Sequence, residues 1–232
     1  MYKRQDVQLT SDGEVIVMHD SNAYRTTGVD ENIVNMTYKE VRRLDAGSWY
    51  SDEYKGEKVP GLREVLELAQ GKIKLNIELK PADNGEELAR KTVALIEKYN
   101  MENDCVITSF SSSALSAAKS CDENIRVGYI LSAAYGDYYD MKNIDFFSVN
   151  AAFLSKRTID AIHNSGKQVY AWTVNNKDSI KNLTNKGVDG VITDNPVLAR
   201  ETIYSRDTSE TIVNMIRYVS VSYTHLRAHE TS

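Results

Sequence analysis

The strongest constraint on this chain is an alternation of short apolar, strand-like runs with helix-like segments that continues almost from end to end. Candidate strands are residues 6–10, 15–19, 73–79, 105–110, 126–131, 146–149, 168–174 and 190–193. They are rich in Val, Ile, Phe and Tyr, the residues that fit a pleated surface. Ser11-Asp12-Gly13 separates the first two, which reads as a hairpin, so only one of that pair need join a parallel sheet. Between the later strands, Leu62, Val65, Leu66 and Ala69 share one helical face, as do Leu88, Val93 and Ile96. Gly71, Gly166 and Gly187 read as helix stops. Thr37 with Glu40 reads as a capping box, and Asn195-Pro196 as an N-cap followed by proline in the first turn. Repeated βα units predict an α/β protein with a parallel sheet and helices outside it. Leaving out the hairpin partner, the strands number one fewer than a (β/α)8 barrel needs. Residues 20–60 form a long polar insertion with Tyr24, Trp49, Tyr50 and Tyr54, expected to pack over one barrel face.

Composition removes several alternatives. Hydrophobic residues make up 41% of the 232, and 12 glycines bring the apolar share into the globular range. Disorder, collagen and coiled coil are excluded. A net charge of -5 leaves no basic stripe for nucleic acid, although a local positive site could still take a phosphate. Cys105 and Cys121 lack disulfide-framework or metal spacing and are expected to be buried bystanders. No apolar run approaches the roughly 18 residues of a membrane span, and no secretory leader is evident. The chain itself is therefore expected to be soluble and to make no membrane contact. Location and oligomeric state are not legible.

Both ends depart from the pattern. Residues 1–5 are expected to be a non-native leader, and 6–205 the domain. Beyond about Arg206 the periodicity decays, and 222–232 (SYTHLRAHETS) has none. The stretch 206–232 is expected to be a disordered or non-native tail, of the kind that read-through of a linker gives.

In a parallel barrel, reactive groups stand at the C-terminal ends of strands. Asp6, His19-Asp20, Glu78, Lys80 and Asp194 occupy such ends. Glu78 and Lys80 share parity, so they face the same side, with Ile77 and Leu79 opposite. An acid and a lysine facing a barrel interior are costly unless they bind something or each other. One reading is a structural Glu–Lys pair. The hairpin brings a second reading, because it folds Asp6 and His19 toward the same end. Two carboxylates suit a hard cation, Ca²⁺ or Mg²⁺. A lysine suits a phosphate oxygen, and an imidazole suits proton transfer to a leaving alkoxide. Together they make a metal-assisted phosphodiester cleavage site.

At this point the chain resembles a known family. DVQLTSDGEVIVMHDSNAYRTTG (6–28), KVPGLREVLELA (58–69), LNIELKP (75–81), VITSF (106–110), VYAWTVN (169–175) and GVDGVITDNP (187–196) occur in the order found in glycerophosphodiester phosphodiesterases. That resemblance implies a TIM barrel that cleaves small-molecule glycerophosphodiesters to an alcohol and sn-glycerol 3-phosphate with a divalent cation. It implies that Asp6 and Glu78 are metal-binding carboxylates, that His19 is the second of two catalytic histidines, and that Lys80 lies near the substrate phosphate. Trp172 matches a tryptophan bordering the substrate pocket, where ordinary packing is the alternative, and Phe110 is a candidate pocket wall. Asp194 is expected to be structural, capping the following helix.

The departures are equally informative. The family opens with a barrel strand ending in His-Arg-Gly, followed by a helix with a Pro-Glu-Asn-Thr motif, and neither is present. Its second strand reads Glu-x-Asp, whereas this chain has Arg4-Gln5-Asp6. A cation at one metal position should lower metal affinity sharply. The expectation is thus a barrel missing its first strand and helix, with two exposed sheet edges and low or no activity of its own. Two rivals stand beside it: a phospholipase D-like or cyclising phosphodiesterase, and a catalytically dead ligand-binding barrel. The substrate's head group and the choice between Ca²⁺ and Mg²⁺ are not legible.

Overall fold

The computed structural model describes residues 2–133, 136, 138–204 and 219–221. Strand β1 (Tyr2–Leu9) turns through Gly13, whose φ of 76° suits glycine, into the antiparallel β2 (Val15–Val17). The insertion follows, with short helices α1 (Tyr24–Thr27) and α2 (Tyr38–Val41). The Thr37–Glu40 capping box is present at α2. Three successive helix–strand steps come next: α3 (Leu62–Ala69) and β3 (Lys74–Leu79), α4 (Gly85–Lys98) and β4 (Cys105–Ser109), α5 (Ser112–Cys121) and β5 (Arg126–Leu131). After β6 (Phe146–Asn150) come α6 (Lys156–Asn164), β7 (Gln168–Trp172), α7 (Lys177–Lys186), β8 (Gly190–Thr193) and α8 (Pro196–Tyr204). The last described strand is β9 (Val219–Val221).

The strands form one sheet in the order β2-β1-β3-β4-β5-β6-β7-β8-β9, and β9 also pairs with β1. Apart from β2, every neighbour is parallel, and the pairing of β9 with both β8 and β1 closes the sheet into a ring. This is the TIM-type architecture. Two features of the sheet go beyond the sequence reading. Residues 2–5 are the first half of β1, in register with β3 from Tyr2↔Lys74 onward, because main-chain pairing does not need an apolar sequence. Strand β9 lies between β8 and β1, so the two sheet edges expected to be exposed are paired there. Otherwise the tail expected at 206–232 lies outside the described residues.

Strand parity sorts side chains between two cores. Leu75, Ile77, Leu79, Ile107, Val127, Phe147, Val169 and Val191 face outward, packed with helix residues such as Leu66, Leu88, Val93, Leu115, Ile162 and Ile180. Inside the ring, Tyr2, Val106, Phe146, Tyr170 and Ile192 fill the lower part. Phe146 lies against Gly128, where a Cβ would stand 2.1 Å from its ring. The insertion has its own small core of Ile16, Met18, Ala23, Ile33, Met36, Val41, Ala46 and Val59, as its covering role requires. Cys105 is buried, and burial pushes its thiol up to about 12. Cys121 is exposed, against expectation, because it ends α5 on the solvent side. Among the described residues no helix is long and apolar enough to cross a membrane.

Candidate active site

The barrel interior becomes polar toward the C-terminal ends of its strands. Asn76 and Glu78 on β3, with Lys80 just after it, share the inward parity, while Ile77 and Leu79 go to the outer core. Asp6 stands directly across from Glu78 in the β1–β3 register, and Arg4 across from Asn76. His19 follows β2 and is brought to the same end by the hairpin. A cavity of about 260 Å³ opens there, lined by Arg4, His19, Asn76, Glu78, Lys80, Thr108, Phe110, Trp172 and Asp194 among others.

Four charges are interlocked at its floor. Arg4 Nη2 donates to Asp6 Oδ2 at 3.2 Å, and Arg4 Nη1 lies 3.0 Å from Glu78 Oε2. Lys80 Nζ lies 2.6 Å from Glu78 Oε1 and 3.6 Å from Asp6 Oδ1. The Glu78 contacts are close ion pairs but not aligned hydrogen bonds, since neither of its oxygens has a hydrogen-bond partner. Its side chain is 1% exposed. Burial, reinforced by the Asp6 charge, raises the Glu78 carboxyl above its usual range, against the pull of Arg4 and Lys80.

His19 is half-buried and held from both sides. Its Nδ1 donates to Asp20 Oδ1 at 2.7 Å, and its Nε2 lies 3.4 Å from Lys80 Nζ. Arg25 Nε also binds Asp20. Partial burial works against the Asp20 charge, but hydrogen bonds from Arg25 and His19 outweigh it and hold the carboxyl below its usual range. An ionised Asp20 keeps the proton on Nδ1 and leaves the Nε2 lone pair toward the cavity.

Opposite His19, Phe110 and Trp172 meet edge to face with centroids 6.2 Å apart. Trp172 Nε1 donates to the Ser148 carbonyl at 2.9 Å, which fixes the ring at the wall. A wider cleft of about 720 Å³ adjoins the cavity, sharing His19, Lys80 and Phe110 and bordered by Gln8, Ser21, Asn32 and Ser111.

The structure thus brings His19, Glu78, Lys80, Phe110 and Trp172 around one cavity, with Asp6 tied in through Arg4 and Lys80. Asp194 is placed differently from expectation. Asn195 Oδ1 caps α8 by accepting from Leu198 N, while Asp194 lines the cavity and accepts from Asn175 Nδ2. Asn76 and Thr108, hydrogen-bonded to each other at 2.9 Å, were not foreseen. The parity of Asn76 with Glu78 and Lys80 was the available signal.

The residues present do not suit the divalent cation that the resemblance implies. A hard cation needs about six or more oxygen ligands, several of them anionic. Here the two carboxylates face a guanidinium and an ammonium, and no cluster of three or more His, Cys, Asp or Glu side chains with metal-binding geometry occurs among the described residues.

Comparison with known proteins bears on this geometry. Residues 5–198 match the model of the glycerophosphoryl diester phosphodiesterase family. A glycerophosphodiester phosphodiesterase of Bacillus altitudinis is 30% identical over 199 residues, covering 82% of this chain and 81% of the relative. One from Caldanaerobacter subterraneus subsp. tengcongensis is 29% identical over 222 residues, covering 91% and 84%. Among solved structures, a phosphodiesterase of Oleispira antarctica in complex with the product sn-glycerol 3-phosphate superposes with a TM-score of 0.82. It is 30% identical and covers 88% of this chain and 85% of its own. The barrel, the charged cavity at its C-terminal face and the extent of these matches lead to one conclusion: the chain belongs to the glycerophosphoryl diester phosphodiesterase family.

Proposed function

We propose that this chain is a phosphodiester hydrolase domain that takes glycerophosphodiesters and releases an alcohol and sn-glycerol 3-phosphate. The observation that carries this reading is the junction of His19 Nε2 and Lys80 Nζ, 3.4 Å apart, where the cavity meets the wider cleft. A phosphate at that junction would have a nonbridging oxygen on Lys80. Its leaving oxygen would lie within reach of the imidazole. The glycerol would lie in the smaller cavity beside Trp172 and Phe110, and the alcohol in the open cleft.

His19 would move one proton at Nε2, and Asp20 would orient the ring and stabilise its charged form. Lys80 would offset the negative charge that builds on the phosphoryl group. The family is generally dependent on a divalent cation. In this chain, Asp6 and Glu78 would be the residues to hold it, and they are engaged by Arg4 and Lys80.

The test is hydrolysis of glycerophosphocholine followed by phosphorus NMR. Linear sn-glycerol 3-phosphate is expected, at a rate that His19→Ala reduces by about 10²–10⁴-fold with little change in Tm. A cyclic phosphate as sole product would move the assignment to a cyclising enzyme. Binding without any turnover would move it to a ligand-binding barrel.

A further inference from the structure

We infer that Arg4 takes the place of a divalent cation in this site, so that Arg4 and Lys80 together hold an anionic phosphoryl group without a metal. The inference rests on the hydrolase reading for the identity of the ligand, and on the charge cluster for everything else.

The geometry supports the substitution atom by atom. The Arg4 guanidinium reaches both facing carboxylates at once, at 3.2 Å to Asp6 and 3.0 Å to Glu78. Those carboxylate oxygens are the ones a bound cation would need at about 2.0–2.6 Å. Lys80 takes the other oxygen of each carboxylate, at 3.6 and 2.6 Å. Two anions and two cations cancel, and a dication added to them would face two like charges at short range with no uncommitted carboxylate on the floor. For a phosphate the cluster offers N–H donors on both cations, whereas the oxygens a metal would need are already engaged. Arg4 and Lys80 line the cavity together with Glu78 and Asp194, so an anion would bind by docking on the two cations that Asp6 and Glu78 hold in position.

Arg4 also retains donor capacity. Its two terminal nitrogens contact the carboxylates and each carries a second N–H, while Nε is buried without a hydrogen-bond partner. A planar guanidinium matches phosphate oxygens through paired N–H donors, whereas an ammonium acts as a point charge. The two cations therefore divide the work: Arg4 orients the phosphoryl group and Lys80 supplies charge beside His19.

The experiment is calorimetric titration of the full chain with sn-glycerol 3-phosphate and, separately, with inorganic phosphate. Each is done in EDTA, in excess Ca²⁺ and in excess Mg²⁺. Titration of the protein with each cation alone completes the set. The expected result is anion affinity that differs less than about twofold among the three conditions and no saturable cation binding. Arg4→Met should weaken anion binding about 10–100-fold, the loss of one charge-assisted contact. Arg4→Glu should create saturable Ca²⁺ binding. If either variant does not fold, the unsubstituted chain decides alone. Binding of sn-glycerol 3-phosphate only with Ca²⁺ or Mg²⁺ would overturn the inference and leave the hydrolase reading standing. Binding of inorganic phosphate in EDTA without any binding of sn-glycerol 3-phosphate would support the inference and count against the hydrolase reading. No anion binding in any condition would overturn both.

Discussion

Single side chains in this site are set by their neighbours more than by their own type. Asp20 is the clearest case: it touches no cavity wall, yet it fixes His19 Nδ1 at 2.7 Å and is itself fixed by Arg25. In the proposed reaction it would be a positioning residue. Asp20→Asn should lower kcat about 10–100-fold, as loss of a hydrogen bond to a charged group allows, while KM changes little. Steady-state kinetics separate this from a purely structural role, in which kcat and KM would hold and only Tm would fall. At this scale much was legible in the sequence. Glu78 and Lys80 declare their common face by parity alone, and His19 is placed by the hairpin. Arg4 was legible only as a misfit. Its bridging of Asp6 and Glu78 depends on the β1–β3 register, which no local pattern states. The Asn195 cap was legible from Asn195-Pro196, whereas Asp194 was also expected to cap and instead turns inward, since adjacent Asp and Asn are both competent caps and the backbone decides between them.

Elements carry the packing that keeps the cavity floor in place. The pairing of β5 with β6 puts Gly128 across from Phe146, whose ring occupies the space a side chain at 128 would need. Gly128→Ala places a methyl group 2.1 Å from that ring and should cost about 1–3 kcal/mol. At roughly 2–4 °C per kcal/mol for a chain of this size, differential scanning calorimetry should register the loss. An unchanged Tm would mean that the ring does not lie over Gly128. The insertion has a comparable anchor in Asp45, which accepts from Gly47 N, Ser48 N, Ser48 Oγ and Gly56 N. Those bonds hold its carboxyl well below the usual range. Because the folded value lies below the unfolded one, its contribution is present above about pH 4 and is lost as pH falls through the folded value. Asp45→Ala should remove that acid-side dependence and open residues 45–56 to proteolysis at neutral pH. Equal cleavage of both proteins would contradict this. The helices and most strands were legible because their period and punctuation agree. The first half of β1 was not, since Tyr2-Lys3-Arg4-Gln5 is polar and pairs through its backbone.

The molecule as a whole is a ring of parallel strands whose outer face is apolar under the helices and whose inner face turns charged at one end. That gradient is what the alternating sequence encodes, and it explains why the fold class was legible before any single contact. How the ring closes was not. Val219–Val221 is too short to announce itself, and its place between β8 and β1 is a property of the assembled sheet. The same gradient concentrates Arg4, Asp6, Glu78 and Lys80 at the mouth, beside His19. The proposed reaction therefore requires a phosphoryl group to be held there. A crystal structure with sn-glycerol 3-phosphate bound tests it most directly. Phosphate oxygens are expected within about 3 Å of Lys80 Nζ, beside His19 Nε2, with the glycerol toward Trp172. A ligand bound elsewhere on the saturated protein, with the Arg4–Asp6–Glu78–Lys80 cluster untouched, would contradict it.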